Sequence, residues 1–296
     1  MYKIIGKRRS FFVVSLVIIV LGLISLATRG LNLGIDFTSG TLVQLEFEES
    51  ITASEIEEVL GTSEVANLGV ERYSVRTGED GRIAFIRTDS LTPFAQNEMV
   101  NILRAEIGDL RELSIDKVDP VIGGELVRRA LIAVVIASLA VLAYVAFRFE
   151  YRFGVSAVAA LVHDVLIVLS IFSITQVEIN SPFVAAILTV VGYSVNDTIV
   201  IFDRIRENLR RTKTKSFEEL VDISINQTLV RTLYTSVTTL VVVLSLHLFG
   251  AEAIRDLTLA FLIGVLVGTY SSIFVASSIW VEWREKDRLQ AVTATE

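Results

Sequence analysis

An aspartate, Asp197, lies inside an apolar run, Val191–Asn208, that opens with lipid-compatible residues and ends charged. On insertion scales a carboxylate within a bilayer costs roughly 2.5–3.5 kcal/mol. It persists only where it faces protein and has a partner or a task. At about 100° per residue, Thr189, Tyr193, Asn196, Asp197, Val200 and Arg204 share one helix face. A second ionisable residue, Arg231, stands in the next apolar run, on a face shared with Gln227, Tyr234, Thr235, Thr238 and Ser245. In consecutive antiparallel spans the two charges fall at similar depth, about one to two turns inside the boundary. Arg231 stays charged, while Asp197 can take up and release a proton. An acid beside a fixed cation within a helix bundle is suited to passing protons. The structural alternative has Asp197 only bonding helices together, a task asparagine would do at lower energetic cost.

A third acid, Asp164, follows His163 in an earlier apolar run. His163 shares a face with Ser156 and Ser170, and Asp164 with Ala157, Ala160 and Ile171. Adjacent helical residues point about 100° apart, so the two cannot both face one cavity squarely. A part in proton movement and a structural pairing with a neighbouring helix both fit. The chain has no cysteine, which excludes disulfides and thiolate metal sites, and His163 and His247 are too few for a histidine-rich one. The net charge of −7, with no clustered basic domain, argues against nucleic acid. Asp164 and Asp197 could suggest an intramembrane protease, but no partner motif for a catalytic dyad accompanies them. The expectation is a protein without catalytic residues, metal or cofactor, with protons as the coupling ion.

These residues must be carried by membrane spans. A hydrophobic share of 52%, with charge confined to blocks, marks a polytopic α-helical membrane protein. Six apolar segments can span: about 11–28, 127–147, 153–175, 182–202, 228–249 and 257–280. Lys3, Lys7, Arg8 and Arg9 precede the first, as in a signal peptide. The apolar stretch Phe11–Ala27 is long enough to span, and Thr28-Arg29-Gly30 is a poor cleavage site, so a retained first helix is expected. Basic residues gather before span one, between spans two and three (Arg148, Arg152), between four and five (Arg204 to Lys215), and after six (Arg284, Lys286, Arg288). The positive-inside rule then places both termini, residues 1–10 and 282–296, in the cytoplasm and residues 29–126 outside.

That insert reads as an α+β module. Strands are expected at Thr41–Glu48, Val70–Arg76, Arg82–Thr88 and Leu110–Val118, and helices at Thr52–Leu60 and from Thr92 to Ile107. Thr52 and Glu55 make a capping-box pair. The order β-α-β-β-α-β is ferredoxin-like. Acidic residues outnumber basic ones about two to one across it, which solubility alone explains. Two glycine-bearing elements flank it: Gly34-Ile-Asp36-Phe-Thr-Ser-Gly40 and Asp119-Pro-Val-Ile-Gly123-Gly124-Glu-Leu126. They are expected to form hinge-like turns and lack the context of a phosphate loop. Ser216 and Glu219 should cap a short interfacial helix, and Gly264 and Gly268 offer a small-residue packing face in span six.

With the layout complete, the chain resembles the SecF group of the SecD/SecF protein-export family, within the resistance-nodulation-division (RND) superfamily. The resemblance covers essentially the whole chain. It rests on Gly34–Gly40, Asp119–Leu126, His163-Asp164 and above all Val191–Asn208, together with the spacing from Asp197 to Arg231. Ser39 stands where the family often has glycine. The resemblance implies half of an RND-type transporter fold, with SecD supplying the other six helices. It implies proton-motive-force-driven help to unfolded polypeptides leaving the SecYEG channel, after SecA has used ATP, in the bacterial cytoplasmic (inner) membrane. SecYEG, YajC and YidC are the further partners it implies. Proton relay falls to Asp197, Arg231, Asp164 and His163, with Tyr193, Asn196 and Thr235 in support. A small-molecule antiporter of the same fold is less consistent with one small outer module, and a non-transporting scaffold leaves the buried charges unexplained.

Overall fold

The computed structural model describes residues 2–78, 80–148, 150–211 and 215–293; Glu79 of the β-hairpin turn and Thr212 and Lys213 of the basic connection lie outside them. The described chain divides into two compact units, residues 33–130 and the remainder.

The larger unit opens with α1 (Arg8–Arg29); the smaller unit then holds, in chain order, the one-turn helix α2 (Ile35–Thr38), β1 (Gly40–Phe47), α3 (Ala53–Leu60), α4 (Ser63–Ala66), β2 (Tyr73–Thr77), β3 (Ile83–Thr88), α5 (Pro93–Glu106) and β4 (Leu110–Val118). The four strands form one antiparallel sheet in the order β2-β3-β1-β4. This is the ferredoxin-like order. Alternation in β1 turns Val43, Leu45 and Phe47 to a core closed by Ile56 and Leu60 of α3 and by Met99 and Leu103 of α5. Thr52 caps α3 in a reciprocal capping box with Glu55, and Thr92 caps α5 ahead of Pro93. The one-turn helix α4 was not marked by the sequence pattern.

Helix α6 (Pro120–Arg148) starts in the smaller unit and ends in the larger one, which continues with α7 (Tyr151–Thr175), α8 (Ser181–Arg211), α9 (Phe217–Phe249), α10 (Arg255–Ser271) and α11 (Ser277–Thr293). A π-helical segment, Ser272–Ala276, joins the last two into one rod. Six helices are long and apolar enough to cross a membrane: Ile5–Arg29, Ile122–Arg148, Tyr151–Thr175, Ser181–Arg211, Phe217–Phe249 and Glu252–Asp287. Spans three, four and six are about half buried, whereas one, two and five are largely exposed. Gly264 and Gly268 let α10 press onto Val190 and Ser194 of α8. Below them Trp280 stacks on Phe153 at 4.9 Å within the core of Phe202, Ile205 and Val221.

Two expectations require correction. The capped segment after Ser216 is not a separate interfacial helix but the first turns of α9, because no glycine or proline interrupts Phe217–Phe249. The second glycine element is not a turn: Gly123 and Gly124 lie inside α6, which starts at Pro120. Gly123 serves by lacking a side chain, since a Cβ there would lie 2.9 Å from Ser39 Oγ and 3.3 Å from Asp36 and Phe37 carbonyl oxygens. In the first glycine element, Gly34 caps α2, Asp36 sits in its first turn, and Gly40 opens β1 at φ +128°. Gly124 faces open space.

Candidate proton site in the membrane bundle

Asparagine 180 caps α8, its Oδ1 accepting the Phe183 N–H at 3.0 Å, and sets the helix that carries the first candidate. Asp197 is buried, at 3% exposure. Its Oδ2 has no hydrogen-bond partner among the described residues. Arg231 on α9 is exposed, and among the described residues no hydrogen bond joins it to Asp197; the link between them is electrostatic. The reason is the face that α9 packs: Thr228, Thr232 and Ser236 are buried, which turns Arg231 and Tyr234 outward. Arg231 lines an open recess of about 400 Å³ with Arg148, Val200, Arg204 and Thr228. Of the supporting residues, Tyr193 is half-buried and its hydroxyl has no partner among the described residues, Asn196 is exposed, and Thr235 bonds back to the Arg231 and Thr232 carbonyls.

The second candidate is a closed hydrogen-bond cluster. Asp164, 1% exposed, accepts the Ser194 hydroxyl of α8 at 2.6 Å and the Ser271 hydroxyl of α10 at 2.8 Å, both on Oδ2. Its Oδ1 lies 2.9 Å from His163 Nδ1. His163 Nε2 lies 2.8 Å from Ser15 Oγ on α1, and the ring stacks on Tyr270. The two side chains do point at different helices, as the 100° offset requires. One network nonetheless holds both, because the imidazole folds back onto its neighbour's carboxylate. A turn further along, Thr198 bonds Ser272 at 2.8 Å, and Ser272 donates to the Ser194 carbonyl. Ser271 and Ser272 flank the start of the π segment, a distortion frequent at functional sites.

Sequence reasoning did not single out Ser15, Ser194, Tyr270 or Ser271. The available signal was the run of hydroxyls Thr269-Tyr-Ser-Ser272 within an apolar span.

Six membrane helices with buried acids, interrupted after the first by a ferredoxin-like module, define a half-unit of RND-type transporter architecture. The family model for the SecD/SecF protein export membrane protein C-terminal region matches residues 99–286, and that for the SecD/SecF GG motif matches residues 24–51. The chain belongs to the SecD/SecF family of protein-export membrane proteins. It is 45% identical to the protein translocase subunit SecF of Desulfurispirillum indicum, over 92% of this chain and 88% of that one. It is 37% identical to the protein translocase subunit SecDF of Bacillus subtilis, over 95% of this chain but 38% of that one. The crystal structure of SecDF from Thermus thermophilus, a translocon-associated membrane protein, superposes with a TM-score of 0.87 at 36% identity, covering 96% of this chain and 39% of that chain. The chain thus spans about two fifths of these fused relatives.

Proposed function

We propose that this chain is the SecF-type half of a proton-driven accessory unit for protein export in the bacterial cytoplasmic membrane. SecD is its partner and completes a twelve-helix unit; the fused SecDF relatives support this, since each holds this chain's equivalent within one longer polypeptide. Both termini lie in the cytoplasm and the ferredoxin-like module outside. The unit assists unfolded polypeptides leaving SecYEG, with YajC and YidC as further neighbours, and performs no covalent chemistry.

The observation that carries the proton reading is Asp197: a buried carboxyl with an oxygen that has no partner among the described residues, within the electrostatic influence of Arg231. Such an acid has a place for a proton and a fixed charge to compete with it. Protonation removes one charge of the couple and changes how α8 and α9 attract. His163 and Asp164 lie on the same relay. The test is export into inverted membrane vesicles with ATP present, with and without a proton gradient. Asp197→Asn keeps size and most hydrogen bonding but cannot titrate. It should assemble at normal levels and lose the gradient-dependent stimulation; full stimulation at wild-type protein levels would reduce Asp197 to a structural group.

A further inference from the structure

Away from the buried acids, positive charge converges where the ends of α6 and α8 lie beside the first half of α9. On α8, Asp203, Arg206, Glu207, Arg210 and Arg211 follow the i, i+3, i+4, i+7, i+8 spacing of one helix face. Together with Arg148, the last residue of α6, they line a recess of about 350 Å³. It shares Arg148, Asp203 and Glu207 with the adjoining recess that holds Arg204 and Arg231. The two recesses make one groove lined by six arginines and only two carboxylates. Glu207 is already engaged by Arg204 and, at 2.8 Å, by Arg211. Arg210 is exposed and makes no ion pair among the described residues.

The walls of the groove are tied to one another. Arg206 Nη1 donates to the Arg148 carbonyl at 3.2 Å, which holds α6 to α8. Gln227 Oε1 of α9 accepts from Arg204 Nε at 2.7 Å and from Asn208 Nδ2 at 2.9 Å, which holds α9 to α8. Cations in a last helical turn offset the helix dipole, and that suits Arg148, Arg210 and Arg211 one by one. It does not require the arginines of separate helices to converge on one groove with so few counter-charges. The groove also changes character along its length. Beyond the arginines its lining is Tyr144, Ile199 and Val200. Tyr144, Phe147 and Arg148 share a face of α6 at i, i+3 and i+4, and both rings are exposed. Guanidinium groups at the helix ends and apolar side chains leading into the span match a ligand with a phosphate at one end and hydrocarbon at the other.

We propose that this groove binds an anionic phospholipid, with its headgroup at Arg148, Arg210 and their neighbouring guanidinium groups and its acyl chains along Tyr144 and Phe147. The planar fork of arginine meets two phosphate oxygens at once, and basic pockets between spans on the cytoplasmic side recognise such headgroups. The choice of leaflet rests on the orientation proposed above; the chemistry of the groove does not. An acidic peptide would use the arginines but leave the exposed rings without a partner.

The full chain with its SecD partner, stripped of lipid in detergent, can be titrated with phosphatidylglycerol or phosphatidylcholine and the bound lipid counted by native mass spectrometry. Phosphatidylglycerol should bind the more tightly. Arg210→Gln should weaken it about fivefold, and Arg148→Gln with Arg210→Gln about thirtyfold, the share of one and of two interfacial cations. Asp203→Asn removes a competing carboxylate and should tighten binding, an effect no loss of folding imitates. Lys286→Gln, an exposed cation of α11 outside the groove, should leave it unchanged. Equal binding of the two lipids, or equal losses in Arg210→Gln and Lys286→Gln, would overturn the inference. So would displacement of the lipid by inorganic phosphate, which would mark a free-phosphate site, or by a glutamate-rich peptide, which would mark a protein-docking site. Asp197→Asn should bind phosphatidylglycerol as wild type does. Export lost in Asp197→Asn with no lipid held in the groove would defeat only this inference. Lipid binding beside a fully active Asp197→Asn would defeat only the function proposed above.

Discussion

Asp164 of α7 accepts the Ser271 hydroxyl at 2.8 Å, one residue before the sixth span widens into its π segment. The same oxygen accepts Ser194 of α8 at 2.6 Å, and Gly268 lets Ser194 approach that closely. Spans three, four and six are thereby joined at one carboxylate, in the part of the bundle that is most buried. Asp164 is met there by two hydroxyls and an imidazole, whereas Asp197 Oδ2 has no hydrogen-bond partner among the described residues.

Replacing Asp164 separates its packing from its polarity. Asp164→Ala leaves the Ser194 hydroxyl without its acceptor and His163 Nδ1 without its partner, and should destabilise the chain by about 2 kcal/mol or more. Asp164→Asn retains an acceptor oxygen and should cost less, and Ser271→Ala should cost about 0.6 kcal/mol, the mean for membrane hydrogen bonds. Thermal unfolding in detergent, read by the fraction remaining monodisperse, orders the three. Equal losses for Asp164→Ala and Asp164→Asn would show that the hydrogen bonds contribute little.

Among the described residues no hydrogen bond joins Arg231 to Asp197, and the link between them is electrostatic. Arg231→Gln, which removes the charge, should abolish the gradient-dependent part of export. Arg231→Lys keeps the charge but shortens and narrows the donor, and should retain part of it. Gradient-driven export in vesicles measures both; wild-type stimulation in Arg231→Gln would remove the cation from the mechanism.

The spans and the ferredoxin-like order were legible because each rests on a repeating pattern: long apolar runs, period-two strands, and Thr52, Thr92 and Ser216 as caps. Asp197 and Arg231 were legible because a charge in an apolar run is conspicuous. The partners of Asp164 were not. A serine inside a span marks no direction until the helices are packed, so Ser15, Ser194 and Ser271 read as ordinary small residues. The outward turn of Arg231 was hidden for the same reason, since both faces of α9 carry hydroxyls. The unbroken α9 was misjudged because a capping signal shows where a helix starts, not where it stops.

The capping box of the outer module gives a pH signature. Thr52 donates its N–H and hydroxyl to Glu55 Oε2, both at 2.8 Å, and these bonds hold the Glu55 carboxyl below the usual carboxylate range. A depressed folded value means the contribution is complete above the unfolded value and is lost as pH falls through the folded one. The fragment 33–130, expressed alone, should fold and unfold cooperatively. The advantage of wild type over Glu55→Gln in its melting temperature should shrink as pH is lowered from about 6 to about 3. Parallel curves would show that the carboxylate does not act as a cap in solution.

Orientation can be read with single cysteines, since the chain has none of its own. Arg82 on the sheet module and Arg210 at the end of α8 are both exposed. Arg82→Cys in intact cells should react with an impermeant thiol reagent, and Arg210→Cys should react only after the membrane is opened. The reverse pattern would invert the topology inferred from basic-residue placement.

Ser39 offers a test of backbone strain. It is not glycine, yet it adopts φ +68° and ψ 168°, in the region open to glycine and costing other residues about 1–3 kcal/mol. The conformation is held because its N–H closes α2 onto the Ile35 carbonyl at 2.8 Å, and because the chain must turn at once into β1. Gly40 next to it cannot share the burden: a Cβ there would lie 2.3 Å from the Thr88 carbonyl oxygen. Ser39→Gly removes the steric conflict but gives the unfolded chain more freedom, which takes back about 0.5–1 kcal/mol. A net gain of about 1 kcal/mol is expected in fragment 33–130. Ser39→Ala keeps the Cβ and should show no gain, and Gly40→Ala should unfold the fragment or lower its melting temperature sharply. Chemical denaturation of the three variants decides the matter. Ser39→Ala stabilising as much as Ser39→Gly would mean that the hydroxyl, not the backbone, is the source of the strain.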